Sequence, residues 1–345
     1  SVSRGGMNIK MMNLAEDCGD TTILYNHQCL GVDFNTNTAT FLDSIKGEEI
    51  EVSADAIFAC DGAFSAVRYE SMQKQPRFNY SQQFIEDGYK ELLLPANEDG
   101  SYKLDKNALH IWPRGRFMLI ALANEDGSFT CTLFMPFSEG NYSFDSLSND
   151  ELVEEFFQEV FPDFYEMMPN LLSDWHQNPL SALAIIRCYP WSYNKVVLMG
   201  DSAHATVPFY GQGMNSGFED CFVMNQIIDE VGEDWQKVFE VFQKRRKPDG
   251  DAIQDLSIHN YHVMRDFVGD PKFLLQKKIE AKFSENHPEK WMPLYSQVTF
   301  TSIPYSQAWS VGQKQESIMK KIMALPGIEE KWDSAEVESI ILTHL

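Results

Sequence analysis

The stretch from Val196 to Asp220 constrains this chain more than any other part of it. Val196, Val197, Leu198 and Met199 form a short apolar run, the pattern of a buried strand. The run ends at Gly200-Asp201, passes through a loop rich in Pro and Gly, and opens at Asn215 into a helical pattern. A strand that feeds a helix through glycine is where α/β proteins hold phosphates and dinucleotides. Backbone N–H groups at the helix start point outward, and glycine lets the chain come close to the ligand. The pattern alone therefore predicts an α/β fold with a nucleotide-cofactor site at this loop.

The wording of the loop is more specific. Residues 200–215 read Gly-Asp-Ser-Ala-His-Ala-Thr-Val-Pro-Phe-Tyr-Gly-Gln-Gly-Met-Asn. This resembles the GD motif of the FAD-dependent aromatic hydroxylases, the single-component flavoprotein monooxygenases. The resemblance implies that Asp201 holds the ribityl and ribose region of FAD, with Gly211, Gln212, Gly213, Met214 and Asn215 against the flavin ring. Upstream, the strand-like run Ala56 to Cys60 ends in Asp61-Gly62-Ala63-Phe64-Ser65-Ala66-Val67-Arg68. That segment resembles the DG motif of the same family and implies contacts from Asp61 and Gly62 to FAD and to reduced nicotinamide cofactor. Taken alone, Asp-Gly after a strand is an ordinary turn; the two loops together are specific.

Further blocks, Leu109 to Ala123, Ser128 to Phe137, Met292 to Phe300 and the opening Ser1 to Arg4, are similar to the kynurenine 3-monooxygenase branch of that family. The resemblance covers nearly the whole chain. It implies an α/β fold: a Rossmann-like FAD-binding domain, an antiparallel β-sheet substrate domain roofing the active site, and a carboxy-terminal helical region. The expected segments are 1–75 and 186–234 for the FAD-binding domain, 76–185 for the sheet domain with its capping helix, and 235–345 for the helices. By the same resemblance Asn260 and Tyr295 touch the substrate. Phe134, Leu109, Met118, Leu122, Pro208, Phe209 and Tyr210 are expected as apolar walls around its ring, each a core residue on packing grounds alone. Arg4, Cys29 and Ala66 match positions that border FAD. The implied reaction takes L-kynurenine, NADPH and O2 to 3-hydroxykynurenine through a flavin C4a-hydroperoxide, in tryptophan degradation and NAD biosynthesis.

Asn260 is informative on pattern too. Ile253, Leu256, Asn260 and Met264 share one helix face. An amide on an apolar stripe needs partners, so either a structural bond to backbone or a substrate contact would account for it. One departure from the family pattern stands out: no G-x-G-x-x-G occurs, and Gly5-Gly6 follows no strand. The expectation is that a βαβ unit of roughly 30 residues or more is missing at the amino terminus. With it would go an Arg and a Tyr that the resemblance implies for the substrate carboxylate.

The charge of −23 argues against nucleic acid and anionic membrane surfaces as partners. The basic run Lys244-Arg245-Arg246-Lys247 reads either as a solvated helix end at Pro248 or as a patch for NADPH. The 6 cysteines show no C-x-x-C and read as reduced, packed thiols of a cytoplasmic protein. The histidines lack metal-ligand spacing, and His204 is not required as an acid or base because the flavin performs the difficult step. No apolar segment of 18 residues is visible, and no membrane anchor is expected at the end, Ile340 to Leu345.

Along the chain, Met7 to Leu14 suits a helix, and Ala39 to Leu42 and Glu49 to Val52 suit strands. Leu109 to Pro113, Phe117 to Ala123 and Phe129 to Met135 are successive strands, with Asn124 to Gly127 as a hairpin turn. Ser148 and Glu151 have capping-box spacing before a helix that buries Leu152, Phe156, Phe157 and Val160. From Trp235 onward the pattern is helical, broken at Pro248, Pro271, Pro288, Pro293 and Pro304. Three alternatives remain open at this point. One is a related hydroxylase of another aromatic acid. Another is a non-catalytic remnant, and the third is a serine hydrolase suggested by Gly200-Asp201-Ser202, for which Asp255 and His259 stand one residue too far apart.

Overall fold

The computed structural model describes residues 4–345, Arg4 by its backbone alone. Helix α1 (Arg4–Asp17) precedes a three-stranded sheet of β1 (His27–Asp33), β2 (Thr38–Asp43) and β3 (Glu48–Ser53), and the short β4 (Ile57–Ala59) leads to Asp61. Strands β5 (Asn79–Leu94), β6 (His110–Pro113), β7 (Met118–Ala123) and β8 (Phe129–Pro136) come next, followed by helices α2 (Asp150–Val160), α3 (Pro162–Met167) and α4 (Leu171–Gln177). The chain continues through β9 (Ser181–Tyr189), β10 (Ser192–Tyr193) and β11 (Val196–Leu198) into α5 (Asp201–His204), α6 (Gly213–Val231) and α7 (Trp235–His262). It finishes with α8 (Pro271–Asn286), α9 (Leu294–Phe300), α10 (Tyr305–Met323), α11 (Ile328–Lys331) and α12 (Ala335–His344).

Two compact units result, residues 1–27 with 84–183, and residues 28–83 with 184–345. In the first, β6, β7, β8 and β5 pair antiparallel in that order, and β9 completes a five-stranded sheet. Side chains alternate across such a sheet. Leu119, Ala121, Phe129, Cys131, Leu133 and Met135 therefore fall on one face, where they are fully buried under Phe156, Phe157, Phe161 and Phe164 of the helical segment. Each buried Phe removes enough apolar surface from water to contribute about 1.5–3 kcal/mol. The β7–β8 hairpin closes as its turn residues require, with Asn124 N–H donating to the Ser128 carbonyl and Gly127 at φ 88°.

The second unit holds the β10-β11-β4 sheet, in which β11 runs parallel to β4. Val196, Val197 and Leu198 are fully buried against Phe239 and Phe242 of α7 and Ile227 of α6. The carboxy-terminal helices belong to this same unit. Val298, Tyr305 and Ala308 join Ile253 and Leu256 of α7 in one apolar cluster.

Several local expectations need correcting. Asn149, not Ser148, caps α2, its Oδ1 accepting from Leu152 N at 3.0 Å. The buried stripe is accordingly Val153, Phe156 and Phe157, while Leu152 is partly exposed. Helix α6 begins at Gly213, ahead of Asn215. Pro248 does not end a helix, for α7 continues through it. A proline forfeits one backbone hydrogen bond there, but buried side chains on both sides, Phe242 and Gln243 before and Ala252, Ile253 and Leu256 after, keep the helix on its core. Gly250 lets α7 lie close to Trp191, since a Cβ at that position would stand 2.8 Å from its ring.

Three of the cysteines, Cys18, Cys60 and Cys221, are exposed rather than packed, and all six are free thiols. Burial pushes Cys131 and Cys188 up to about 12. Among the described residues no helix is long and apolar enough to cross a membrane, and no group of three or more potential metal ligands gathers.

Candidate cofactor and substrate site

The parallel register of β4 and β11 organises the site. Val196, Val197 and Leu198 pair with Ile57, Phe58 and Ala59, and Met199 N–H extends the ladder to the Ala59 carbonyl at 3.0 Å. Carried past the strand ends, this register sets Gly200 opposite Asp61 and Asp201 opposite Gly62. Both glycines turn the chain with positive φ, 82° at Gly62 and 57° at Gly200, and a Cβ at either would meet nothing within 4 Å. Open space beside a glycine at a strand end is the cradle a ligand backbone approach requires.

The two loops are tied together. Asp61 accepts from Ser202 Oγ at 3.0 Å with one oxygen and from Val67 N at 3.1 Å with the other. Ser202 Oγ in turn accepts from Gly62 N at 3.0 Å. The Arg68 guanidinium is 1% exposed and donates to the Ser202 carbonyl at 2.7 Å and to the Ala63 carbonyl, with the Tyr80 ring 5.2 Å from its centre. Its Nε is buried without a partner among the described residues. A cavity of about 360 Å³ opens here, lined among others by Cys29, Phe64, Ala66, Arg68 and Tyr69. Cys29 and Ala66 thus come together at one cavity beside Asp61 and Gly62. The Arg4 side chain lies outside the described residues.

Asp201, at the first position of α5, is exposed as Asp61 is, but it has no hydrogen bond or ion pair to any described residue. Beyond it Pro208, Phe209 and Tyr210 form a single 3-10 turn, and Gly211 reverses the chain at φ 65°. Gln212 is buried and spends its amide on the turn itself. Its Oε1 accepts from Asn215 Nδ2 at 2.9 Å and from the Tyr305 hydroxyl at 3.2 Å, and its Nε2 donates to the Tyr210 carbonyl at 3.4 Å. No side chain caps α6, so its first N–H groups, beside exposed Met214 and Asn215, are left for an acceptor-rich ligand. A free carboxylate for hydroxyls, two open glycine turns, an orphan guanidinium N–H and an uncapped helix start form a donor and acceptor set that fits FAD.

A buried ionic cluster lies behind these loops. Asp220 of α6 is fully buried and accepts from Gly200 N at 2.9 Å, His204 Nε2 at 2.6 Å and Arg246 Nε at 2.7 Å. Burial alone would raise the Asp220 carboxyl, but the neighbouring His204 and Arg246 outweigh it and hold it below the usual carboxylate range. Arg246 also pairs with Glu219 at 3.0 Å and Asp249 at 3.4 Å, while Lys247 pairs with Asp251 and Arg245 with Glu230. The basic run 244–247 is therefore not a helix end, and its Arg246 is spent inside the protein while Lys244 and Arg245 stay exposed. Nothing in the run's composition distinguished Arg246 from its neighbours. The signal was Asp220, an acid closing the helix-start motif.

The expected substrate contacts fall in both units. In the second, Asn260 is buried and donates to the Phe209 carbonyl at 2.6 Å, and Tyr295 stacks on Tyr210 with ring centroids 5.6 Å apart and planes 21° from parallel. Burial, and next the nearby Tyr295, push the Tyr210 hydroxyl upward. Pro208 and Tyr295 are exposed while Phe209 and Tyr210 are buried. In the first unit, Met118 and Phe134 face each other directly across β7 and β8. Leu122 shares their face by strand parity and Leu109 immediately precedes β6, so this group lines the sheet face opposite the helix-covered core.

The hydrolase alternative fails on geometry. Ser202 is fully buried and bonded to Asp61 and Gly62, and His204 is bonded to Asp220. Asp255 pairs with Arg187 at 2.5 Å, and His259 packs against Trp309 with the ring planes tilted by 59°. Ser202 therefore meets neither His204 nor His259 as a nucleophile meets its base.

A family profile described as an FAD binding domain matches residues 7–257. Kynurenine 3-monooxygenase of Christiangramia forsetii is 53% identical over 344 residues, covering 99% of this chain and 76% of that relative. The same-named protein of Flavobacterium psychrophilum is 51% identical over 346 residues, covering 100% of this chain and 77% of the relative. Among solved structures, the tetrameric form of 2-methyl-3-hydroxypyridine-5-carboxylic acid oxygenase shares the fold, with a TM-score of 0.61 at 21% identity over 77% of this chain and 68% of that one.

Proposed function

The chain belongs to the kynurenine 3-monooxygenase family of FAD-dependent flavoprotein monooxygenases, and from that premise we propose that it hydroxylates L-kynurenine to 3-hydroxykynurenine with NADPH and O2. The observation that carries the reading is the 53% identity over 99% of the chain with a relative of that name. The two tied strand-end loops supply the cofactor cradle it requires.

FAD bound in this cradle would supply the redox chemistry, taking hydride from the reduced nicotinamide and activating oxygen. The protein's part is to bind, orient and exclude water. Asp201 would hold the cofactor by accepting hydrogen bonds from its hydroxyls, and the 211–215 turn would hold it through backbone N–H groups. Gln212 keeps that turn rigid because its amide is committed to Tyr210, Asn215 and Tyr305. Asn260, Tyr295 and the Tyr210 stack orient the substrate. The substrate's aniline nitrogen activates the ortho carbon of its own ring, so no protein acid or base needs to act there.

The deciding experiment measures NADPH oxidation by the intact protein with and without L-kynurenine, with products read by mass spectrometry. Stimulated oxidation with one added oxygen in the product is expected. Stimulation by a different aromatic acid, with no turnover of kynurenine, would overturn the substrate assignment and leave the class standing. Tyr295→Phe is predicted to raise the kynurenine dissociation constant by about three- to tenfold, the worth of one hydrogen bond, with FAD content kept. Unchanged affinity would remove Tyr295 from the site.

A further inference from the structure

We propose that Asp220 is a positioning residue for the cofactor carboxylate Asp201, acting through the backbone of Gly200 and the side chain of His204. The inference rests on the reading of Asp201 as an FAD ligand. Asp201 opens a helix of 4 residues, Asp201–His204, too short to hold its own direction. Asp220 grips that helix at both ends with one oxygen: Oδ2 accepts the N–H of Gly200, just before it, and the Nε2–H of His204, its last residue. An ionised carboxylate only accepts, so His204 carries its proton on Nε2. The other oxygen, Oδ1, accepts from Arg246 Nε.

The grip is itself anchored. Arg246 reaches Asp249 at 3.4 Å, and the second oxygen of Asp249 accepts both the N–H and the hydroxyl of Ser306, at 2.9 and 2.6 Å, at the start of α10. Asp220 also stands on α6, the helix whose first turn bears Gly213, Met214 and Asn215. One buried side chain thus holds the two halves of the cofactor loop in register while Asp201 points to solvent. Stability alone does not account for it, because a buried ion pair is worth little more than apolar packing of the same volume. What such a cluster supplies is fixed geometry.

The test is a double-mutant cycle on FAD affinity in the intact protein, by flavin fluorescence titration, using Asp201→Ala, Asp220→Asn and the pair, each with its apo melting temperature. In Asp220→Asn the amide NH2 must face one of three donors, so the grip opens at one point at least. Asp201→Ala and Asp220→Asn are each expected to weaken FAD by about tenfold, and the double variant no more than Asp201→Ala alone. Losses that multiply in the double variant, or an unaffected FAD affinity in Asp220→Asn, would overturn the proposal. Unaltered FAD affinity in Asp201→Ala would instead sink the cofactor reading beneath it. Should Asp220→Asn fail to fold, His204→Ala removes one end of the grip only. Its expected loss of about threefold must likewise vanish in the Asp201→Ala background, and persistence there would overturn the proposal.

Discussion

The ends of β4 and β11 lie side by side in parallel register and carry the same two residues in opposite order, Asp61-Gly62 and Gly200-Asp201. The reversal changes what each aspartate does. At the first strand end, Asp61 precedes its glycine and falls within reach of Ser202 and Val67, so both of its oxygens are engaged. At the second, Gly200 turns the chain before Asp201 appears, and the carboxylate emerges exposed and without a partner among the described residues. One aspartate staples the two loops together, and the other is left for a ligand. The contrast teaches that a site needs both kinds: an acid committed to the scaffold makes the free one point in a constant direction.

This contrast can be broken experimentally. The largest effect is expected from Arg68→Met, which removes the guanidinium bridging the part-buried Ala63 carbonyl and the buried Ser202 carbonyl. A loss of about 3 kcal/mol in urea unfolding is expected; a loss within error would mean that the loops hold without their bridge. Next comes Asp201→Ala, whose apo stability should stay within about 0.5 kcal/mol of the parent while FAD affinity falls about tenfold or more. Asp61→Asn should show the converse pattern. With its oxygen on Val67 N–H, the amide can only donate to Ser202 Oγ, whose own proton loses its acceptor, at a cost of about 1 kcal/mol in apo stability, with FAD weakened only as far as the loop loosens. If the two aspartates gave the same pattern, the division of labour between them would be wrong.

The smallest expected effect is on pH dependence. The Asp220 carboxyl lies below its ordinary 3.8 in the folded protein. A depressed carboxyl contributes stability that is fully present above the unfolded-chain value and is lost as pH falls through the folded one. Acid unfolding should therefore steepen below about pH 4, and the steepening should be reduced in Asp220→Asn. Equal acid limbs for parent and variant would show that His204 and Arg246 do not hold the carboxyl down.

Much of the molecule was legible because its signals are local. Successive apolar runs and the Asn124 to Gly127 turn were enough to place β6, β7 and β8, since turn chemistry acts over a few residues. The loops at 61–68 and 200–215 were legible as glycine turns at strand ends, the second leading into a helix, for the same reason: glycine freedom and helix-start donors are properties of short segments. The failures were also local readings, applied where distant atoms decide. Pro248 looked like a helix end, yet the core on either side of it carries α7 through. Ser148 had the spacing of a cap, but Asn149 holds the position because the helix enters its core one residue later.

The sequence by itself thus determined which segments could form strands, turns and a cofactor loop, and through its likeness to relatives, the family to which the chain belongs. Only the tertiary structure decided which acid is committed and which is free. Asp61, Asp201 and Asp220 are alike in one-dimensional text. Their roles follow from a parallel register between strands far apart in the chain, and from Arg68 and Arg246 arriving from elsewhere to complete the pairing. Hydrogen bonding requires atoms within about 3 Å, and nothing shorter than the whole fold brings those atoms together.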